Sequence, residues 1–511
     1  MKILKTLLLA LFGAALPIAL SAQTEIEFEA GVTANASSGE FAPYYIASNR
    51  GGTITQSHSA MAHGALWHEL DTTRRFSYAF GAELWTGYAS SVAYDRYDPE
   101  MEHCFPENQH PARFWVQQAY AQAKFRGVLA TVGAKEPQSP IVNSQLSSGD
   151  LIMSGNARPP FGAELGFVNF QNIPLTKGWL QIEGKVGYYK PADGKWLNNH
   201  YNYYNYFVSA SYWLHYKQFA LRTNPDKPFS VTIGAQSACQ FAGSMNTYSN
   251  GKLLSTIKLA ADIKAFFRTI IAGSGGESAG DKFVEGNHLG SWDIALRYRL
   301  PSGHIVRGYH QRIWEDGSGI GMLNGFDGLW GIEYRSPHKG FINGAVIEYI
   351  DLSNHSGPIH WAPDDFEGTH ITKKATGADD YYNNYTYNGY HIRGMSVGSP
   401  FVKSPIYNTD GYMRFTDNLL RGFHLAVTGN IIPTLTYRAM LSFRKTWGTP
   451  FLPRVKPLTC TSVFAEAVYS PAAAPGLSLT AQLGLDRGTL YGNNFGALIS
   501  LSYHGNFTLG K

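Results

Sequence analysis

Beyond residue 22, this 511-residue chain has no apolar run approaching the roughly 18 to 20 residues that a membrane-crossing helix requires. If that part of the chain crosses a bilayer, only a closed barrel of strands can do it, because every backbone polar group must be paired inside the hydrocarbon. Charge is also scarce, at 16% of residues with a formal net charge of +4, a balance that gives no argument for nucleic acid. Three cysteines, Cys104, Cys239 and Cys460, are odd in number and far apart. They exclude a disulfide scaffold or a cysteine zinc site and leave room for one pair at most. There is no Pro/Ser-rich or charged linker, although a water-soluble chain of this length would divide into about three domains. Phosphate-cradling, H-E-x-x-H and paired C-x-x-C motifs are missing as well.

What the chain does contain begins with Lys2 and Lys5, an apolar stretch from Ile3 to Leu20, and then Ser21, Ala22 and Gln23. This pattern predicts a secretion leader over residues 1–22, cleaved after Ala22, with the mature protein starting at residue 23. Thereafter the writing is alternation. Phe76, Tyr78, Phe80, Ala82, Leu84 and Tyr88 are spaced by Ser77, Ala79, Gly81, Glu83 and Gly87. Leu180, Ile182, Val186 and Tyr188 alternate with Gln181, Glu183 and Lys185, and Trp292, Ile294, Leu296 and Tyr298 with Asp293, Arg297 and Arg299. Leu435 to Phe443 alternates with Thr436, Arg438 and Ser442, and the stretches 477–486 and 495–503 repeat the pattern. Successive strand side chains point to opposite faces, so one face is greasy and the other polar. A charge at the lipid midplane costs several kilocalories per mole, which directs these Arg, Lys and Glu residues to the lumen. A soluble antiparallel sandwich also alternates. It leaves the leader and the aromatic-ended strands unexplained, and the 31 Tyr, 29 Phe and 11 Trp fit both headgroup-level girdles and sugar-binding surfaces.

The expected fold is therefore all-β, a large antiparallel transmembrane β-barrel in the outer membrane at the cell surface, with 16 to 18 strands of about 10 residues using the length. Pro301 to Gly303 and Pro471 to Gly476 read as turns, whereas 136–178, 304–328 and 352–400 read as long loops or segments folded into the lumen. One stretch departs from alternation. From Ser255 to Ile271, Leu259, Ile263, Phe266, Phe267 and Ile270 recur at helical spacing opposite Lys258, Asp262 and Arg268. Ser255 is the expected cap, and Gly273, Gly275 and Gly276 the stop. This helical insertion near 255–271 is expected to block the barrel or pack beneath it, the alternative being an amphipathic helix on the membrane surface.

Catalytic motifs are thin. Gly276 to Gly280 matches G-x-S-x-G around Ser278, but it follows a helix where a nucleophile elbow must follow a strand. Ser255 and Lys258 fit S-x-x-K without a K-T-G partner. His310, His355 and His360 are scattered, and the carboxylates Glu315, Asp316, Asp327, Asp364, Asp365, Asp379 and Asp380 are either calcium ligands or solvated loop charges. The densest mixture of aromatic and polar residues holds Arg307, His310, Arg312, Trp314, Glu315, Asp316, Asp327 and Trp330, with Asp379 to Tyr385. Sugars want flat rings for their CH faces and Asp, Asn and Arg for their hydroxyls. The residues expected to bind carbohydrate are Arg297, Arg299, His310, Arg312, Trp314, Glu315, Asp316, Asp327, Trp330, Tyr381, Tyr382, Asn383 and Asn384, with no catalytic residue, no metal and no cofactor. A headgroup-level girdle beside ordinary loop charges fits the same composition equally well.

At Glu40–Gly52, Leu146–Pro159, Ile173–Gln181, His310–Gly319, Asp327–Gly331, Ser356–Pro358, Asp380–Asn384 and Gly398–Pro400, the chain resembles the Wzi family of outer-membrane capsule assembly proteins in its Bacteroidetes-type form. The resemblance implies an 18-stranded barrel occluded by helical elements. It further implies a non-enzymatic surface lectin that ties capsular or related polysaccharide to the cell, with outer-membrane lipid and other capsule export components as partners. Ser237, Phe241 and Ala242 depart from the His, Trp and Gly the family pattern has after Gly234. A diffusion channel for small polar solutes or saccharides and an outer-membrane hydrolase are the competing readings. The barrel reading predicts that the protein leaves cells only in detergent; recovery of the folded chain from a detergent-free periplasmic extract would refute it.

Overall fold

The computed structural model describes residues 24–272, 285–357 and 377–510. The leader, Ser278 with its G-x-S-x-G motif, Gly273 to Gly276, His360, Asp364 and Asp365 lie outside the described residues. Numbered in chain order, the barrel strands begin with β1 Thr24–Phe41, β2 Gln56–His68, β3 Phe76–Ala89, β4 Phe114–Phe125, β5 Val128–Ala134 and β6 Phe161–Phe167. Then come β7 Leu180–Lys190, β8 Trp213–Thr223, β9 Phe229–Phe241, β10 Asn287–Arg299, β11 Ile305–Trp314 and β12 Gly328–Arg335. The last six are β13 Gly344–Leu352, β14 Leu420–Ile432, β15 Leu435–Gly448, β16 Pro453–Tyr469, β17 Leu477–Gly488 and β18 Asn494–Leu509. Gln171–Asn172 continues β6 after a break, and both pieces pair with β7. Among the described residues there are four short α-helices, α1 Tyr44–Ala47, α2 Gly194–His200, α3 Ile263–Ile271 and α4 Gly317–Ile320.

Each strand pairs antiparallel with the next, and β1 closes on β18 in register from Thr24↔Leu509 to Ser37↔Gly496. The result is a closed barrel of eighteen strands. Its wall has no free edge, as hydrocarbon demands. Along β10, Trp292, Ile294, Leu296 and Tyr298 are exposed outward, whereas Ser291 and Asp293 are buried inward. Exposed rings mark both rims: Phe76, Phe125, Phe229, Tyr298, Tyr469 and Tyr503 at one end, Tyr88, Phe114, Phe423, Phe443 and Phe495 at the other. The first end carries the termini and the short turns, including 126–127 and 433–434, and is the periplasmic one. The long connections rise from the other end, which faces outward, and several fold back inside.

Inside the wall, α1 with its flanks, the segment 135–160 and much of 377–419 pack into one core: Ile46, Ala47, Leu151, Ile152, Phe401 and Val402 have no exposed surface. The lumen thus holds a helical element, but most of its filling is irregular chain. Its backbone groups are paired within the filling: Ser154 Oγ donates to the Gly398 carbonyl (2.6 Å), Tyr382 Oη to Leu151 (2.7 Å) and Tyr390 Oη to Ile152 (3.0 Å). Carboxylates tie the filling to the wall. Glu348 on β13 accepts from Ser147 Oγ (2.6 Å), the Ser148 amide (2.7 Å) and Tyr309 Oη. Asp150 of the filling accepts from Gln236 on β9 (3.1 Å) and Gln311 on β11 (2.9 Å), and from the amides of Ile152 and Met153. His424 on β14 donates through Nε2 to the Leu146 carbonyl (2.7 Å), which leaves Nδ1 to accept from Tyr45 Oη (2.7 Å). Wall glycines make the room: a Cβ on Gly484 or Gly496 would stand 2.9 or 2.8 Å from Pro43.

The expected helix at 255–271 is half strand. Ser255 pairs with Thr247 in a hairpin formed by Ser244–Ser249 and Lys252–Lys258, and α3 starts at Ile263 with Asp262 accepting from the Ala265 amide (2.9 Å) as its cap. Nor does α3 plug the barrel. Ala265, Thr269 and Phe266 pack on Tyr188, Trp213, Cys239 and Phe241. These wall residues pair side by side, His215 with Tyr188 and Cys239 and Trp213 with Phe241, on the face opposite the inward Leu214, Tyr216 and Gln236. The helix therefore lies against the outside of the wall.

Asp150→Ala removes the acceptor from two wall amides and two backbone amides, each orphaned group costing about 1–3 kcal/mol. The variant is expected to melt at lower temperature in detergent and to be cut faster by protease within 135–160; an unchanged melting point and digest would show that these bonds do not hold the filling.

Candidate functional site

The thirteen residues expected to bind sugar fall into three places. Arg297 and Arg299 sit at the periplasmic end of β10, where Arg297 donates through Nη2 to the carbonyls of Pro225 and Lys227 (3.0 Å to the latter) and Arg299 is exposed. Arg297 is five residues along the strand from Trp292, the register partner of Arg312, so roughly 16 Å separates the two arginine levels. His310, Arg312 and Trp330 face away from the lumen. They share a face with Ile294, Trp292 and each other through the pairings Ile294↔His310, Trp292↔Arg312 and His310↔Trp330. His310 stacks on Trp330 at 3.6 Å between ring centroids, and Arg312 is tied to the Asn324 side chain (3.2 Å) and the Met322 carbonyl (2.9 Å). Their place is the outer girdle, where a ring stack covers the imidazole and loop oxygens satisfy the guanidinium.

The other eight converge where the β11–β12 loop meets 377–384, as a structural joint. Asp327 accepts from the amides of Ser353, Asn354 and His355 (3.1, 3.0 and 2.8 Å) and from Tyr381 Oη (3.0 Å). Glu315 accepts from the Tyr382 amide (2.9 Å) and the Asp380 amide (3.3 Å), and Asp316 caps α4 through the Ser318 amide (2.8 Å). Tyr381 and Tyr382 have no exposed surface, and His355 covers the Tyr381 ring at 4.0 Å. Asn383 bonds both ways with the Phe415 backbone (2.8 and 2.9 Å), and Asn384 donates to Asn287 Oδ1 (3.1 Å). Trp314 is buried beside Trp292 on the outward face. The rings of Tyr381 and Tyr382 are spent on packing, whereas Trp314, Glu315, Asp316, Asn383 and Asn384 line a cavity of about 1130 Å³ together with Trp292, Tyr385 and Arg414. The departure at Ser237, Phe241 and Ala242 lies on the outer wall too, Phe241 and Ala242 under α3, with Phe241 4.9 Å from Phe266.

The joint nevertheless crowds acid. Burial, reinforced by the charges of Asp379 and Asp380, pushes the Glu315 carboxyl well above the ordinary range. Burial first, and then the charge of Asp316, raises Asp379 to about 7. Among the described residues no three His, Cys, Asp or Glu side chains converge in a metal-binding arrangement.

Besides the cavity at the joint, two others combine rings with polar groups. At the outward end, about 330 Å³ opens between the end of β1, the β17–β18 loop and 403–409. Phe41, Tyr407 and Tyr491 line it, with the rings of Phe41 and Tyr491 set edge-on to Tyr407 at 4.9 and 5.2 Å, beside Glu40, Lys403, Asn493 and Asn494. Burial pulls the Lys403 ammonium down. Beneath lies Arg444, fully buried, its guanidinium 3.5 Å from the centroid of the Tyr44 ring. The second cavity, about 680 Å³, opens in the periplasmic half of the lumen among Glu29, His63, Trp85, Gln118, Glu466 and Gln482. Several of its charges are paired: His63 with Glu29 (3.0 Å), and Glu466 with Arg438 (3.0 Å) and the Gln482 amide (2.5 Å). Sequence reading missed the outward recess because Phe41, Lys403 and Tyr491 come from three distant parts of the chain. Its one local signal was Glu40–Phe41 at the head of a motif.

The raised Asp379 carboxyl fixes a sign. The joint is fully stable below the ordinary carboxylate range, near pH 4, and loses stability as pH rises through about 7, because the unfolded segment ionises first. The protection factors for amide exchange at 379–384, taken relative to the base-catalysed intrinsic rate at each pH, are expected to be lower at pH 8 than at pH 5, and Asp379→Asn to flatten the difference; equal protection in the wild type would refute the assignment.

No protein-family model matches the chain, and no curated protein matches it in sequence. Among solved structures it is similar to Wzi, an outer membrane protein involved in group 1 capsule assembly in Escherichia coli and described as a carbohydrate-binding β-barrel. The identity is 13% over 98% of this chain and 88% of that one, with a TM-score of 0.54. It also aligns with OccAB2 of Acinetobacter baumannii (9% identity, 96% and 99% of the chains, TM-score 0.49) and OccK5 of Pseudomonas aeruginosa (9%, 96% and 99%, 0.46). The likeness to Wzi, together with the closed apolar-banded wall, makes this chain a barrel of the outer-membrane type.

Proposed function

We propose that this protein is a non-enzymatic surface lectin that holds capsular or related polysaccharide at the outer membrane, in company with other capsule export components. The observation that carries the reading is the packed lumen: side chains with no exposed surface stand in its middle, where a diffusion path would need water. The similarity in fold to a carbohydrate-binding barrel supports it. So does the outward recess, whose rings suit the CH face of a sugar while Glu40, Lys403, Asn493 and Asn494 suit hydroxyls and acidic groups. Of the residues expected from sequence, Trp314, Glu315, Asp316, Asn383 and Asn384 line the separate cavity of about 1130 Å³ and offer a second surface of rings and polar groups to saccharide, while Asp327, Tyr381 and Tyr382 hold the joint behind it. A single stacked ring contributes about 1 kcal/mol, so one site binds weakly and a long polymer touching many copies is held by avidity.

The channel reading draws on the periplasmic chamber of about 680 Å³, which resembles a vestibule. Conductance separates the two: purified protein in planar bilayers is expected to pass little current, and steady large openings would favour the channel. A deletion strain is expected to shed polysaccharide that the wild type keeps cell-bound. Tyr407→Ala and Tyr491→Ala are each expected to weaken binding of the purified polysaccharide about fivefold. Full retention of polysaccharide by the deletion strain would refute the lectin.

A further inference from the structure

A charge on the outward face of a barrel wall is costly wherever lipid reaches it, yet β8 carries both His215 and Lys217 there, in register with Cys239 and Ser237. Helix α3 resolves this. Lys217 donates through Nζ to the carbonyls of Thr269 (3.3 Å) and Ile270, the last turn of α3, where orphan carbonyls and the negative end of the helix favour a cation. Tyr188 Oη donates to the Phe266 carbonyl (2.6 Å), and His215, with no exposed surface, lies beneath the helix with Tyr188 4.6 Å away, ring to ring. One face of α3 therefore seals polar groups on the outer wall.

The opposite face is apolar and open. Ile263, Phe267 and Ile271, four residues apart, are 72%, 64% and 75% exposed, a stripe at helical spacing with Lys264 beside it. This stripe continues the lipid-facing wall, since Phe219 and Trp292 are exposed on the same outer surface next to the strand residues that α3 covers. The geometry points to α3 as an interfacial helix, lying along the barrel at the outer rim with Ile263, Phe267 and Ile271 inserted among the lipids of the outer leaflet. At nine residues it cannot span the bilayer, and its length suits a helix that lies in the interface and adds grip there. Its partner is lipid, the surface that the neighbouring wall already contacts.

The test uses the full-length protein with Cys104→Ser, which leaves Cys239 and Cys460 buried, and Phe267→Cys labelled with an environment-sensitive fluorophore. In phosphatidylcholine vesicles the emission is expected to shift to the blue and to lose most of its intensity when the acyl chains are brominated. The label on native Cys104, in an exposed hairpin, is expected to do neither. Ile271→Cys serves as the second site should the first variant fold poorly. Emission typical of water, unaffected by bromine, would overturn the proposal. Self-quenching that grows with the protein-to-lipid ratio would also overturn it, by showing that a second copy covers the stripe.

Discussion

A cylinder of eighteen strands is too wide for its inward side chains to meet across the middle. Hydrocarbon forces the sheet to close, and closure at this size creates a lumen that must be either water or more protein. Here it is more protein: α1, 135–160 and much of 377–419 fold in, and their backbone polar groups find partners in one another and in wall carboxylates. Glu348 and Asp150 matter because each gathers several donors in a place where an unpaired one would be expensive. Wall polarity, filling and function follow from that width.

The filling also gives the resembling motifs a physical meaning. Glu40–Gly52 is α1 and its flanks, Leu146–Pro159 is the segment anchored to Glu348, Gln236 and Gln311, and Asp380–Asn384 and Gly398–Pro400 pack against both. These stretches are dense in Tyr, Asn, Ser and Gly because they must bury irregular backbone, which requires side chains that can both fill space and satisfy hydrogen bonds. Such a composition mimics that of a sugar site. The buried Tyr381 and Tyr382 show how far the mimicry goes: Tyr381 hydrogen-bonds Asp327, and Tyr382 the Leu151 carbonyl.

Outside the wall, the girdle absorbs residues that would otherwise be anomalous. His310 under Trp330, Arg312 bonded to the β11–β12 loop and Lys217 at the end of α3 are polar groups on the outward face, and each is covered or satisfied locally. All lie toward the outward rim, where water and headgroups lower the cost of an imperfect fit.

The sequence by itself determined the barrel, because alternation with period two is local and its apolar phase is clear in β3, β10, β15, β17 and β18. It did not determine the phase of β11. There Tyr309, Gln311 and Ile313 face inward and His310, Arg312 and Trp314 outward, each set mixing polar with apolar, so only pairing with β10 decides which is which. The period of α3 was legible, but whether it lay inside or outside was not, since a helix with an apolar stripe suits a packed lumen and a lipid surface equally well. Tertiary structure decided that through long-range partners, Lys217 and Tyr188, and likewise brought Phe41, Tyr407 and Tyr491 to one recess, because closing the barrel joins the first strand to the last.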